Sequence, residues 1–267
     1  MELYGSRYLR KPNSYDIQQL YEHHEEVHGF PGMLGSLDCM HWEWANCPTA
    51  WRGQFQRGDH PAPSIMLEAV ASQDLWIWHA FFGAAGSLND INVLDQSPLF
   101  YNLITGVAPG QEFICNNSTY KYGYYLVDGI YLQWATLVKS FTSVQTEPKR
   151  RHFQKRQESA RKDIERAFGV LKKKWHIIQH PARAWHPKRI RNSLYACVIL
   201  HNMIIEDRGR AICQYVEEDD PNVLNYIEIS DAQRVANRQA IRNEDTHTNL
   251  KADLIEHLWM NREEDDN

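Results

Sequence analysis

The chain has 267 residues, a formal net charge of −5 and 43% hydrophobic residues, which is enough for a sizeable core in one large domain with appendages. No apolar run approaches the roughly 18 residues of a membrane span, and residues 1–11 lack the apolar stretch of a secretory signal. The five cysteines include no Cys-x-x-Cys pair. This cysteine usage favours a reducing, intracellular compartment.

The pattern of the first ninety residues predicts a helical lead-in followed by three strands. Ser14 is predicted to cap a helix, and the Pro-Gly pair at 31–32 ends the lead-in. The short polar link at 72–74 predicts a hairpin. The predicted elements are a helix from 14, a buried strand at 35–42, an irregular polar loop at 46–63, and strands at 64–71 and 75–82.

The remaining pattern predicts one more strand among helices. Apolar residues three and four apart mark a long helix at 154–175, and Pro187 suits the first turn of another. The predicted elements are a helix from 90, a strand at 124–129, helices at 131–141, 154–175 and 188–205, a short strand at 177–178, and late helical stretches at 231–242 and 249–259. Together they predict an α/β fold with one mixed sheet flanked by helices.

The charges are distributed unevenly along the chain. Residues 149–174 contain eleven Lys and Arg against three acids, and residues 206–267 contain sixteen acids against seven Lys and Arg. A solvated helix face followed by a disordered tail explains this pattern. A surface that binds a polyanion explains it equally well.

Three carboxylates fall at positions where such a fold can gather them. Asp38 lies on the first buried strand, Asp128 at the end of the fourth strand, and Glu165 beside the apolar stripe of the long helix. Clustered carboxylates repel one another unless divalent cations lie among them, and oxygen ligands suit Mg²⁺ or Mn²⁺. Two such ions activate water and stabilise the leaving oxygen when a phosphodiester is cleaved.

Basic side chains surround Glu165 on the same helix and are predicted to hold a phosphate backbone. They are Arg156, Arg161, Lys162, Arg166, Lys172, Lys173 and Lys174.

Each carboxylate also has a structural interpretation. Asp38 could accept hydrogen bonds from backbone N–H groups, Asp128 precedes a glycine as a turn residue does, and Glu165 could pair with Arg161 one turn away. Only the joint occurrence of the three favours a metal site. For His41, and for His201 with its neighbour Asn202, packing or hydrogen bonding is the favoured role.

Five segments carry a resemblance to a known family. The chain resembles the nuclease domain of the PIF/Harbinger transposase family, most closely its plant ALP1-like and HARBI1-like members, over residues 5–207. The matching segments are GFPGMLGSLDCMHWEW at 29–44, FGAAGSLND at 82–90, GYYLVDGIY at 123–131, ARKDIERAFGVLK at 160–172 and LHNMIIED at 200–207.

The resemblance implies an RNase H-like fold and a metal-binding DDE triad, which falls on Asp38, Asp128 and Glu165. Asp90 matches a further acid of the family, as a support for the site or as a helix cap. The resemblance also implies DNA as the substrate, a separate Myb-like DNA-binding partner and a place in the nucleus, with the cytoplasm as a second compartment.

The predicted organisation is a helical lead-in at 1–30, a nuclease domain at 31–207 and an acidic, partly disordered tail at 208–267. Full-length members of the family usually carry a helix-turn-helix region upstream, whereas only the short lead-in precedes the core here. This difference and the acidic tail motivate a second hypothesis, in which the chain is a domesticated protein-interaction or chromatin-associated module that does not cleave DNA.

Overall fold

The computed structural model describes residues 3–107, 111–215 and 229–262. No helix in these ranges is both long enough and apolar enough to cross a membrane. The helices are α1 (Gly5–Tyr8), α2 (Ser14–His28), α3 (Arg52–Phe55), α4 (Asp90–Gln96), α5 (Tyr101–Ile104), α6 (Pro148–Lys174), α7 (His176–Gln179), α8 (Pro187–Asp207), α9 (Asp231–Ile241) and α10 (Glu244–Met260). The strands are β1 (Met33–Glu43), β2 (Ser64–Ala71), β3 (Ile77–Ala85), β4 (Phe113–Cys115), β5 (Ser118–Tyr120), β6 (Tyr124–Val127) and β7 (Leu137–Lys139).

The main sheet has five strands in the order β3-β2-β1-β6-β7. β2 and β3 form an antiparallel hairpin, whereas β6 runs parallel to both β1 and β7. The separate β4–β5 pair is an antiparallel hairpin. The predicted fold class, a mixed sheet with flanking helices, is therefore confirmed.

The chain divides into two compact units, each built from three segments. The first unit comprises Met1–Lys11, Leu37–Leu99 and Asp163–Ala211, and the second comprises Pro12–Ser36, Phe100–Lys162 and Ile212–Asn267. Strand β1 and helix α6 each contribute residues to both units. The division into a lead-in, a nuclease domain and a tail uses other boundaries and stays a prediction.

In the first unit, alternate side chains of β1 enter two different apolar clusters. Met40, Trp42 and Trp44 pack in the larger cluster with residues of β2, α6 and α8. Cys39, which directly precedes Met40, packs against a smaller cluster that contains Val93 of α4. Because successive side chains of a strand point to opposite faces, one face of β1 meets α6 and the other meets α4.

Asn202 joins three elements of the first unit by hydrogen bonds. Its side chain is fully buried. It accepts the Ile77 N–H (3.0 Å) and donates to the carbonyl oxygens of Ile77 (2.8 Å) and Tyr8 (2.6 Å). The prediction that Asn202 is a satisfied polar residue of the core is confirmed.

In the second unit, α6 is held to the strands by polar side chains. The Ser36 hydroxyl donates to the carbonyl oxygen of Ala160 (3.3 Å). The amide of Gln157, which is fully buried, donates to the carbonyl oxygens of Val127 (2.8 Å) and Val138 (3.2 Å). Since these are the last or nearly last residues of β6 and β7, Gln157 ties the ends of both strands to the helix.

Both helical stretches predicted near the C-terminus are present, as α9 and α10. Leu250, Leu254 and Leu258 are buried, and the Asp253 carboxylate accepts hydrogen bonds from Tyr120 (2.6 Å) and Asn116 (3.0 Å). Much of the predicted tail therefore packs within the second unit. Residues 216–228 and 263–267 of that tail lie outside the described residues.

The structure corrects three element predictions. The predicted helix at 131–141 is wrong, because residues 137–139 form β7 beside β6. The apolar residues there have helical spacing, and pairing with the neighbouring strand β6 overrides that local pattern. The predicted strand at 177–178 lies in α7, and the loop at 46–63 contains a 3₁₀ turn (Thr49–Trp51) and α3.

Two helix starts also differ from prediction. Asn13 caps α2 in a capping box with Asp16, and Asn89 caps α4, so Ser14 and Asp90 are first-turn residues instead. On α2, His24 is fully buried, and its Nδ1 lies 2.9 Å from the Met33 carbonyl oxygen.

Replacing Asn202 with alanine is expected to destabilise the first unit strongly. Asn202→Ala removes the side-chain partner of the buried Ile77 N–H and of the carbonyl oxygens of Ile77 and Tyr8, at an expected cost of about 3 kcal/mol. Ser193→Ala is the matched control, because Ser193 is only partly buried on the same helix and its hydroxyl bonds only within that helix, to the Arg189 carbonyl oxygen (3.1 Å). Chemical denaturation followed by circular dichroism measures both variants, and a free energy of unfolding within about 0.5 kcal/mol of wild type for Asn202→Ala would contradict the expectation.

Stability is expected to fall as the pH drops below about 6.5, the ordinary pKa of histidine. Burial lowers the pKa of His24 to about 3 and that of His201 to about 4. Between these values and 6.5 the unfolded chain binds more protons than the folded one, so each histidine removes about 1.4 kcal/mol per pH unit of acidification.

His24→Gln keeps an N–H donor for the Met33 carbonyl oxygen and removes the titrating ring. The substitution should therefore flatten the pH dependence of the melting temperature between pH 4 and 6.5. His23→Gln, at a partly exposed neighbouring position, is the control. An unchanged slope in His24→Gln would show that His24 is not responsible.

Candidate active site

Asp38 lies on the face of β1 that meets α6. Its position is two residues before Met40, which packs in the same cluster as Ile164 of α6. The carboxylate is partly exposed, and its Oδ1 accepts the Cys39 N–H (2.8 Å). A backbone hydrogen bond of the predicted structural kind is thus present, and it orients the side chain.

Glu165 lies on α6 immediately after the fully buried Ile164, and it is exposed to solvent. On the other side of Ile164, Asp163 is fully buried and forms an ion pair with Arg166. Of the two acids on this turn, Glu165 is therefore the one that can meet a ligand from solution. Asp38 and Glu165 both belong to the first unit.

Asp128 belongs to the second unit and directly follows Val127, the last residue of β6. It is partly exposed, and its Oδ1 accepts the Ile130 N–H (2.9 Å), as expected for a turn residue. Gln157 holds the Val127 carbonyl, so a buried amide fixes the backbone that leads into Asp128.

Gln157 is a residue that the sequence reasoning missed. The signal was present, because Gln157 is a polar residue within the apolar stripe of α6, between Phe153 and Ala160. A polar side chain on a buried face requires hydrogen-bond partners, and here these partners are two strand ends. Its place next to Asp128 makes it a positioning residue for the predicted site.

The three predicted ligands have the chemistry that Mg²⁺ and Mn²⁺ favour, since carboxylate oxygens are hard ligands. Within residues 3–107, 111–215 and 229–262, no group of three or more His, Cys, Asp or Glu side chains stands ready to hold a metal ion. The metal site on Asp38, Asp128 and Glu165 accordingly stays a prediction.

The predicted DNA-binding residues differ in their contacts. Arg156 donates to the carbonyl oxygen of His28 (3.0 Å) and so ties α6 to the end of α2, whereas Arg166 pairs with Asp163. The others are exposed or partly exposed on α6: Lys162 and Lys173 are exposed, and Arg161 and Lys172 are partly exposed. Their part in DNA binding stays a prediction.

His41 has the hydrogen-bonding role predicted for it. Its Nδ1 lies 2.8 Å from the Ser64 hydroxyl oxygen in the first unit, and burial lowers its pKa. His201 likewise lies 2.9 Å, through Nε2, from the Leu75 carbonyl oxygen. Both rings are thus engaged within the fold.

Comparison with known proteins gives the same family as the sequence motifs. The family described as plant transposon protein matches residues 6–212. Protein ALP1-like of Arabidopsis thaliana is 26% identical over 77% of this chain and 50% of its own length. The Arabidopsis thaliana protein called antagonist of like heterochromatin protein 1 is 26% identical over 97% of this chain and 63% of its own length.

The chain spans between half and two thirds of the length of these curated relatives. No solved structure matches it significantly. The family match covers more than half of the chain and includes β1 and α6, which carry Asp38 and Glu165, and β6, which Asp128 directly follows. The chain therefore belongs to the plant transposon protein family, among the ALP1-like proteins derived from PIF/Harbinger transposases.

Proposed function

We propose that this protein is a divalent-metal-dependent endonuclease that hydrolyses DNA phosphodiester bonds with Asp38, Asp128 and Glu165. The observation that carries the proposal is the position of Asp38 and Asp128, which follow the paired residues of β1 and β6 at the same distance along the chain. The last pair of the parallel β1–β6 ladder is Ser36 and Leu126. Asp38 comes two residues later on β1, and Asp128 comes two residues later in the chain, directly after the end of β6. Residues at equal offsets on paired parallel strands are expected to be neighbours.

The third carboxylate is supported by the packing of α6. Helix α6 covers the face of β1 that carries Asp38, through Ile164, and Glu165 is the next residue of that helix. In the proposal, the three carboxylates hold Mg²⁺ or Mn²⁺, which supplies an activated water and stabilises the leaving oxygen.

The other residues act by binding and positioning. The Cys39 and Ile130 N–H groups orient Asp38 and Asp128, and Gln157 holds the end of β6. Lys162 and Lys173, exposed on α6, bind the phosphate backbone of the DNA. A chain that acts on DNA in this way belongs in the nucleus, together with the Myb-like partner that the family resemblance implies.

Asp38→Asn is expected to abolish the nicking of supercoiled plasmid in the presence of Mg²⁺ or Mn²⁺, with a rate loss of at least about 100-fold, because it removes a charged metal ligand. Asp59→Asn is the control, since Asp59 is an exposed acid of the same unit that pairs with Arg57. Equal nicking by wild type and Asp38→Asn would refute the endonuclease proposal.

Removing Lys162 and Lys173 together is expected to weaken DNA binding and to lower the salt dependence of the binding constant. If each contacts one phosphate, the slope of log K against log salt should decrease in magnitude by about 2. Lys188→Ala, which removes an exposed charge on α8, should leave the slope unchanged. Fluorescence anisotropy with a labelled duplex measures both, and a slope like that of wild type in the double variant would exclude these contacts.

A second function, that of a non-cleaving interaction module associated with chromatin, is favoured by the name of one relative. The relative that matches 97% of this chain is called an antagonist of a heterochromatin protein. Under this second proposal, wild type binds Mg²⁺ weakly or not at all, nicks no plasmid, and retains a protein partner in a pull-down from nuclear extract. Recovery of DNA alone, without a protein partner, would count against it.

A further inference from the structure

Two histidines of the first unit form a pair that the proposed nuclease function does not use. His176 is the first residue of α7, and His180 directly follows that helix. Their Nε2 atoms are 3.3 Å apart and their ring centroids 4.4 Å apart. Both residues are exposed to solvent.

The separation of the two nitrogens is that of two ligands on one metal ion. Imidazole nitrogens bind Zn²⁺ at about 2.0–2.1 Å, and a tetrahedral angle then places two of them about 3.3–3.4 Å apart. A single N–H···N hydrogen bond also fits this distance. Each ring binds an ion as neutral imidazole with its proton on Nδ1, so the donating ring of the hydrogen-bonded pair needs only to move its proton from Nε2 to Nδ1.

The backbone around the pair is fixed before any ion arrives. Ile178, between the two histidines, is buried in the core. The indole N–H of Trp42 donates to the His180 carbonyl oxygen (2.8 Å). Two residues on, the Ala182 N–H donates to the Glu43 carbonyl oxygen (2.7 Å), and the Ala182 carbonyl oxygen accepts the Ala45 N–H (2.9 Å). The backbone of this turn therefore has little conformational freedom to lose when an ion binds, which favours chelation by the two rings.

The pair also borders a cavity, so a bound ion would keep positions open for other ligands. The cavity has a volume of about 460 Å³, and its lining includes both histidines, Trp42, Arg183 and Ser193. Two imidazoles supply two of the four positions of a tetrahedral ion. Water, or a donor atom of a molecule held in the cavity, can take the others.

We propose that His176 and His180 form a binding site for one borderline transition-metal ion, such as Zn²⁺, Ni²⁺ or Cu²⁺, through their Nε2 atoms. Imidazole ligands select these ions over Mg²⁺. The site therefore differs in chemistry from the predicted carboxylate site and does not depend on the nuclease proposal.

The test is a calorimetric titration of the metal-free full chain with Zn²⁺ in excess Mg²⁺, which occupies any carboxylate site. Wild type is expected to bind one ion at the pair. His176→Ala and His180→Ala should each raise the Kd at least about tenfold, because a chelate becomes a single ligand. His186→Ala, at a nearby exposed position in the same unit, is the matched control and should bind like wild type.

Two further measurements distinguish loss of a metal ligand from unfolding of the variants. The ¹⁵N spectrum of the imidazoles should show the Nε2 resonances of both histidines shifting with one equivalent of Zn²⁺, and melting temperatures should show that both variants remain folded. Wild-type affinity in either alanine variant, or Nε2 resonances that do not shift, would overturn the proposal. Asp38→Asn should still bind Zn²⁺ at the pair, so a failed nuclease test leaves this result intact.

Discussion

The packing of α6 is the constraint on which the rest of the structure depends. In the first unit, Ile164, Ala167 and Leu171 of this helix fill the apolar cluster with β1, β2 and α8. In the second unit, Gln157 and Ala160 bond to strand residues. One helix thus supplies apolar side chains to the first unit and, beside the buried Phe153 and Ala160, polar contacts to the second. Its apolar stripe buries side chains that cost about 2–5 kcal/mol each to truncate.

Each of the three carboxylates lies on α6, or on or directly after a strand that contacts α6. Asp38 faces the side of β1 that α6 covers, Glu165 follows the buried Ile164, and Asp128 comes after the strand end that Gln157 holds. None of the three is fully buried, so each can exchange its present contacts for a ligand from solution at modest cost. This accessibility suits the metal-assisted cleavage of nucleic acid that we propose for the chain. By contrast, Asp163, one residue before Ile164, is fully buried and paired with Arg166.

The histidine pair shows how local geometry can prepare a site outside the family's motifs. Residues four apart meet on one side of a helical turn, and the hydrogen bond from Trp42 to His180 anchors that turn to β1. The exposed position of the rings keeps them available to solution, while Ile178 anchors the backbone between them. An imidazole site of this kind, which suits borderline ions, and a hard carboxylate site can coexist on one chain because they prefer different ions.

The sequence alone determined the elements that have strong apolar periodicity or clear start and stop residues. The apolar stripe of α6, the Pro187 start of α8 and the hairpin of β2 and β3 were predicted because local patterns specify them. It also placed the three carboxylates on two strands and a helix, through motifs that the family match supports. Short or buried features were decided only by tertiary structure. Residues 137–139 form a strand because they pair with β6. His24 is buried because its ring lies against the Met33 carbonyl oxygen when α2 packs. Gln157 has a role because its amide bonds to the carbonyl groups at the ends of two strands. In each case the deciding partner belongs to another element of the fold, which the periodicity and propensity of the segment itself do not reveal.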